Sequence, residues 1–137
     1  MTEMKNALLE SQRTASRALV IASSSMLPII GLAAWIADAA PLVGLGLSAA
    51  FTAIGWASQR LDPQNARYGA SIAMIGQAIA VTSAFSGHSW QVDMHMSFFA
   101  ALATLVLLID YRAILLATGL IVVHHLTLSL LFPTLIY

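Results

Sequence analysis

Five apolar runs separated by short charged breaks limit what this chain can become. They extend from Ala18 to Ala37, Pro41 to Ser58, Tyr68 to Gly87, Met94 to Ile109, and Ala113 to Phe132, the last stopping at Pro133. A helix rises 1.5 Å per residue, so about 20 residues cross the roughly 30 Å apolar layer of a bilayer. Each run is near that length. None alternates with the period of two that a membrane β-strand needs. Composition agrees, with 59% of the 137 residues hydrophobic, 9% charged and a mean hydropathy of +0.84. A soluble domain carries roughly 25% charged residues. The expectation is an all-α integral membrane protein, a bundle of five transmembrane helices. Residues 1–17 read as a cytoplasmic N-terminal segment, either an amphipathic helix or a solvated tail, and residues 18–137 as the membrane domain.

Local signals refine the runs. Pro28 lies inside the first and predicts a kink, with the serines at 23 to 25 available to satisfy the freed backbone groups. Gly44, Ser48, Thr52 and Gly55 recur near four-residue spacing in the second run, which suits close helix packing and makes a homodimer reasonable. Asp62 and Pro63 predict a turn before the third run. The fourth run is short and is expected to borrow a turn from the polar stretch before it.

Positive charge predicts orientation. Lys5, Arg13 and Arg17 precede the first run, Arg60 and Arg67 separate the second from the third, and Arg112 separates the fourth from the fifth. The connections at 38–41 and 86–94 hold no Lys or Arg. Cytoplasmic loops collect Lys and Arg, so the N-terminus is expected inside a bacterial plasma membrane and the 86–94 stretch outside. A formal net charge of zero gives no basic face for nucleic acid, and the lack of cysteine excludes disulfides and thiolate metal sites.

The four histidines then fall at one end. "SGHSWQVDMHMSFF", residues 86 to 99, carries His88, Asp93, Met94, His95 and Met96. His124 and His125 lie twelve or so residues into the outward-running fifth helix, which brings them toward the same face. Ionisable residues at that depth usually face the bundle interior and have a partner or a function. Neighbouring helix residues point about 100° apart, so one of the pair is expected as a ligand and the other as a hydrogen-bond donor to a neighbouring helix. Imidazole is the commonest metal ligand near neutral pH. The candidate metal set is His88, Asp93, His95, His124 and His125, with Met94 and Met96 as further candidates that would favour copper over iron or zinc. Asp93 could instead orient a histidine. A haem b held by His95 and His124 is the rival, with Gly76, Ala80 and Gly119 leaving room for a porphyrin. Ser-His-Asp catalysis lacks a supporting strand-and-elbow context, so no catalytic residue is expected.

His88, Trp90, Asp93-Met94-His95-Met96, Asp110-Tyr111-Arg112, His124-His125-Leu126 and Pro133 form a pattern. Over residues 86 to 137 it resembles the N-terminal membrane region of a group of bacterial methyl-accepting chemotaxis proteins, with relatives on diguanylate cyclases and histidine kinases. Paired His and Met at the outer face of a multi-span sensor is also similar to the MHYT sensory domain, although the M-H-Y-T motif is absent. The resemblance implies a membrane-embedded sensory module that signals, as a homodimer, to a cytoplasmic signalling domain or kinase complex. Such a receptor needs a sixth helix and a signalling domain after Tyr137; a stand-alone relative is the other expectation. Two other function classes stand beside it: a haem- or metal-dependent membrane redox protein, and a structural subunit without a cofactor.

Overall fold

The computed structural model describes residues 2–39 and 41–131, and among these every regular element is helical. The helices are α1 (Thr2–Ile36), α2 (Leu42–Ser58), α3 (Pro63–Ala84), α4 (Gln91–His95), α5 (Ser97–Leu105, continued by a 3-10 turn Val106–Leu108) and α6 (Tyr111–Leu131). Three stretches are long and apolar enough to cross a membrane: α1, the Gln91–Leu108 stretch, and α6. Apolar α2 is shorter, at 17 residues. The expected end of the fifth run at Phe132 and Pro133, and Tyr137, lie outside the described residues.

α1 runs unbroken for 35 residues, about 52 Å at 1.5 Å per residue. The polar lead-in and the first apolar run are therefore one helix, and Gln12 and Ser16 of the lead-in are buried. The helix continues through Pro28. The serine hydroxyls do not reach the Ser24 carbonyl that Pro28 leaves without its usual donor. Ser23 and Ser24 donate to Val20 O at 3.0 and 2.8 Å, and Ser25 donates to Ala22 O at 2.7 Å. A hydroxyl one side-chain bond from its own helix reaches back three or four residues, not forward. α1 ends in a Schellman motif. Asp38 takes the left-handed conformation (φ 52°), Ala39 N–H donates to Ala34 O at 2.9 Å, and Asp38 N–H donates to Trp35 O at 3.3 Å.

α3 begins five residues before the expected third run. Asp62 is its N-cap, accepting from the N–H groups of Gln64 (3.0 Å) and Asn65 (3.1 Å), and Pro63 fills the first helical position, where a missing N–H costs nothing. Residues 64–67, which read as loop, thus belong to its first turns. α3 is the axis of the bundle and packs against each of the other helices. Fourteen of its residues are buried, ten of them Ala, Gly, Ser or Thr and the other four Ile, Val or Gln.

Those small side chains let α2 lie almost in backbone contact. A Cβ on Gly44 would stand 2.5 Å from Ala84 Cβ and 2.7 Å from Ala80 O, and one on Gly76 would overlap the Phe51 ring. With Gly55 against Ala73 and Gly69 against Ser58, one number rises as the other falls, the register of an antiparallel pair. The four-residue spacing in α2 is consumed inside the chain rather than offered to a second copy. A polar latch closes the middle. Ser48 Oγ donates to Gln77 Oε1 at 2.6 Å, and Gln77 Nε2 donates to Ser48 O and Thr52 Oγ1, both at 3.2 Å. Burying these groups unpaired would cost several kcal/mol in an apolar surround; paired, they hold register.

One end of the bundle is tied by charge. Arg67 Nε donates to Asp110 Oδ2 at 2.7 Å, with both side chains mostly buried. Asp110 Oδ1 also accepts from Arg112 N–H at 3.1 Å, capping α6. Gln12 Nε2 of α1 donates to Ile109 O at 3.1 Å. Ile109 itself is left-handed (φ 49°), a strained state for a β-branched residue that three helices hold in place.

Two outcomes follow. Gly44→Ala pushes a methyl into α3 backbone and should lower stability by about 1–3 kcal/mol, whereas Gly119→Ala, with open space around it, should be neutral or stabilising by up to about 1 kcal/mol; denaturant titration in detergent reads the opposite signs. Donation from the Asn65 backbone N–H, then from its side-chain amide and the Gln64 N–H, holds the Asp62 carboxyl below its ordinary value of 3.8. Its capping contribution is therefore present above that value and lost as pH falls through the lower folded value. The carboxyl carbon resonance of Asp62 should titrate below 3.8 in the folded protein.

Candidate functional site

The fourth run borrows about one turn, as expected: it starts at Gln91, three residues before Met94, and Met96 divides it into α4 and α5. His95 ends α4 and Phe98 opens the first turn of α5. Across from them, α6 presents His124 and His125. The four rings form one cluster. Ring centroids are 5.9 Å apart for His95 and His125, 5.3 Å for His124 and His125, 5.3 Å for Phe98 and His125, and 5.7 Å for Phe98 and His124. Phe98, 4% exposed, is the centre of the set. It read as one more apolar residue, and nothing in its spacing marked it out.

The adjacent histidines diverge as their 100° offset requires, with ring planes 88° apart. The expected division of labour is corrected in one respect. His125 Nδ1 bonds Ile121 O of its own helix at 2.9 Å, not a neighbouring helix. His95 makes the same bond to Gln91 O, also at 2.9 Å. A carbonyl only accepts, so Nδ1 of both rings carries the proton. In the neutral rings the Nε2 lone pair is then left for another partner. His124 makes no hydrogen bond among the described residues.

The remaining candidates stand apart from this cluster. His88 packs edge-on to Phe85 and Trp90 at 5.8 and 5.4 Å, and Phe85 stacks on Trp90 at 6.0 Å. Its Nδ1 accepts from Trp90 N–H at 3.1 Å, so it has the opposite tautomer, with the proton on Nε2. Asp93 is exposed and Met96 is 62% exposed. Met94 packs with Ile30, Val81 and Phe85 in a separate apolar cluster. Among the described residues no group of three or more His, Asp or Glu side chains is arranged to hold a metal ion. The thioethers that favoured copper are therefore not beside the imidazoles.

A cavity of about 450 Å³ adjoins the cluster, within the roughly 300–1,000 Å³ of small-molecule sites. His95 and His124 line it, and His125 does not. Val43 and Leu47 of α2, Ile79, Thr82 and Ser83 of α3, and Leu128 of α6 form most of the remaining wall, closed by Ser86 and Gln91. Gly76 and Ala80, expected to leave room for a porphyrin, are instead spent on Phe51 and on the Gly44 contact. Gly119 is open but is not part of this wall. Among the described residues, the lining carries no Lys, Arg, Asp or Glu.

Together these features define an all-helical bundle with membrane-length apolar helices and a histidine-lined cavity at one end. No protein family, curated protein or solved structure matches the chain.

The hydrogen-bond pattern fixes tautomers that can be read directly. Two-dimensional ¹⁵N spectra of the neutral protein should show His95 and His125 protonated at Nδ1 and His88 protonated at Nε2. A mixed population at His95 would contradict its bond to Gln91 O.

Proposed function

We propose that this chain is a multi-pass sensory domain of a bacterial plasma membrane that binds its ligand through the histidine cluster. In this reading five helical segments cross the bilayer. The Arg67–Asp110 end faces the cytoplasm with Lys5, Arg13, Arg17, Arg60 and Arg112, and the histidine end faces outward. A homodimer and a cytoplasmic signalling domain or kinase complex belong to the same reading, through the resemblance to chemotaxis receptors. No catalytic step is assigned.

One observation carries the ligand reading. His95 and His125 each donate Nδ1–H to a backbone carbonyl. Metal-binding histidines commonly spend their second nitrogen in this way, which sets the tautomer and raises the basicity of the first. Three imidazoles bound to one ion at about 2.0–2.1 Å would have ring centroids roughly 5 Å apart. The two pairs here, at 5.3 and 5.9 Å, are near that spacing, and side-chain rotation supplies the rest. The residues that would hold a transition ion are therefore His95, His124 and His125, an all-imidazole set that suits copper, zinc or iron without choosing among them. Haem b between His95 and His124 is the second occupant, favoured by the cavity both rings line. Its acidic propionates would find no Lys or Arg in the wall, which weighs against it.

Binding acts as a switch only if it biases two arrangements of the helices. α4 is the element suited to that. It is five residues long, it carries His95, and it is bounded by the left-handed Gly87 (φ 76°) on one side and the break at Met96 on the other.

Metal analysis and an absorption spectrum of the protein purified in detergent test the proposal. Stoichiometric transition metal without a Soret band, lost in His124→Ala and His95→Ala variants that still unfold cooperatively, is the expected result. A Soret band would assign haem instead. Neither signal, in folded protein given metal and haem during expression, would remove the cluster as a cofactor site.

A further inference from the structure

The cavity has a chemistry of its own, apart from any ion on the histidines. Its wall is divided. Val43, Leu47 and Leu128 make the side toward the gap between α2 and α6, two helices that each pack on α3 rather than on one another. Val43, in the α2 side of this wall, is 67% exposed. The opposite side, where α3 ends and α4 begins, carries the hydroxyls of Ser83 and Ser86 together with His95 and His124. Thr82 Oγ1 also lines it, but donates its proton to Ala78 O at 2.8 Å and so can only accept from a ligand. Among the described residues, no Lys, Arg, Asp or Glu joins either side.

Each feature narrows the occupant. A fatty acid or a phosphate would bury its charge without a cation, and an ammonium would lack an anion, so the ligand is neutral. A pure hydrocarbon would offer the Ser83 and Ser86 hydroxyls no partner. The volume admits a substituted ring rather than an ion or a water pair. Val43 is the most exposed of the apolar lining residues and lies on apolar α2, so for a chain that spans a bilayer this side of the wall meets the lipid.

We infer that the cavity between α2, α3 and α6 binds a neutral, lipid-soluble ring molecule carrying hydroxyl or carbonyl oxygens, the chemistry of benzoquinones and their quinols, with Ser83 and Ser86 meeting its oxygens. This rests on the membrane-spanning part of the functional reading and is independent of metal at the histidines. For a sensory domain it names the stimulus as a molecule dissolved in the membrane, and it places that molecule beside α4.

The test uses the full chain in phosphatidylcholine nanodiscs, titrated with a short-chain alkyl benzoquinone and separately with its quinol. Bound ligand is counted by extraction after gel filtration and corrected with empty nanodiscs. One saturable site per chain is expected, with no competition from decanoate, which has the tail without a neutral head. Ser83→Ala should weaken binding roughly two- to tenfold, the net worth of one hydrogen bond. Val43→Phe, at an exposed position where the fold tolerates bulk, should obstruct this side of the cavity and remove most of the binding. Binding that never saturates, that survives both substitutions, or that decanoate displaces equally would overturn the inference. Metal content measured on the same samples separates the two readings. Metal without quinone binding retains the histidine site and rejects this cavity ligand. Quinone binding in metal-free protein does the reverse.

Discussion

The rest of the bundle depends on how closely α2 can approach α3. At Gly44 the two backbones leave no room even for a methyl group, since its carbon would fall 2.5 Å from Ala84 Cβ. That approach brings the Gln77 amide within reach of both Ser48 and Thr52, and so pairs polar groups that burial would otherwise penalise. It also leaves the other sides of α3 to α1, α5 and α6. Dispersion between small side chains is weak per atom, yet the contacts are many because the helices are near.

The two ends of the bundle are built differently, and the difference makes the site. At one end Arg67, Asp110, Gln12 and the left-handed Ile109 lock α1, α3 and the start of α6 together. α6 continues its packing through buried Ala113 and Ala117, and beyond these no residue of the helix is buried. At the other end the wall between α6 and α2 is replaced by the cavity, with His124 in its side. The imidazoles stand in this less buried half of α6, against His95 and Phe98.

Several site residues were legible and several were not. His124 and His125 stood out because histidine is costly in an apolar run, and the hydropathy pattern was enough to bring them toward the level of His95. The same reasoning grouped His88, Asp93, Met94 and Met96 with them on nearness in sequence. Distance along the chain misled there. Gly87 turns the backbone with a positive φ, and the following helix sends Met94 into the Phe85 cluster while Asp93 and Met96 face outward. Phe98 and Ser83 carried no sequence signal, since an apolar ring and a serine in apolar runs are ordinary.

The chain alone determined that it is helical and apolar, where most of the helices break, and which end collects its histidines. These depend on local properties: hydropathy, period, capping residues and the cost of burying an ionisable ring. It also contained the start of α3, in the Asp62–Pro63 cap, although residues 64–67 are polar enough to pass for loop. Tertiary structure decided what no local property encodes. It set the pairing of α2 with α3 through absent Cβ atoms, the partition of three imidazoles from the fourth, and the volume enclosed behind them. The reason is geometric. A cavity and a ring cluster belong to surfaces from four separate elements, and their shapes exist only once the helices have packed.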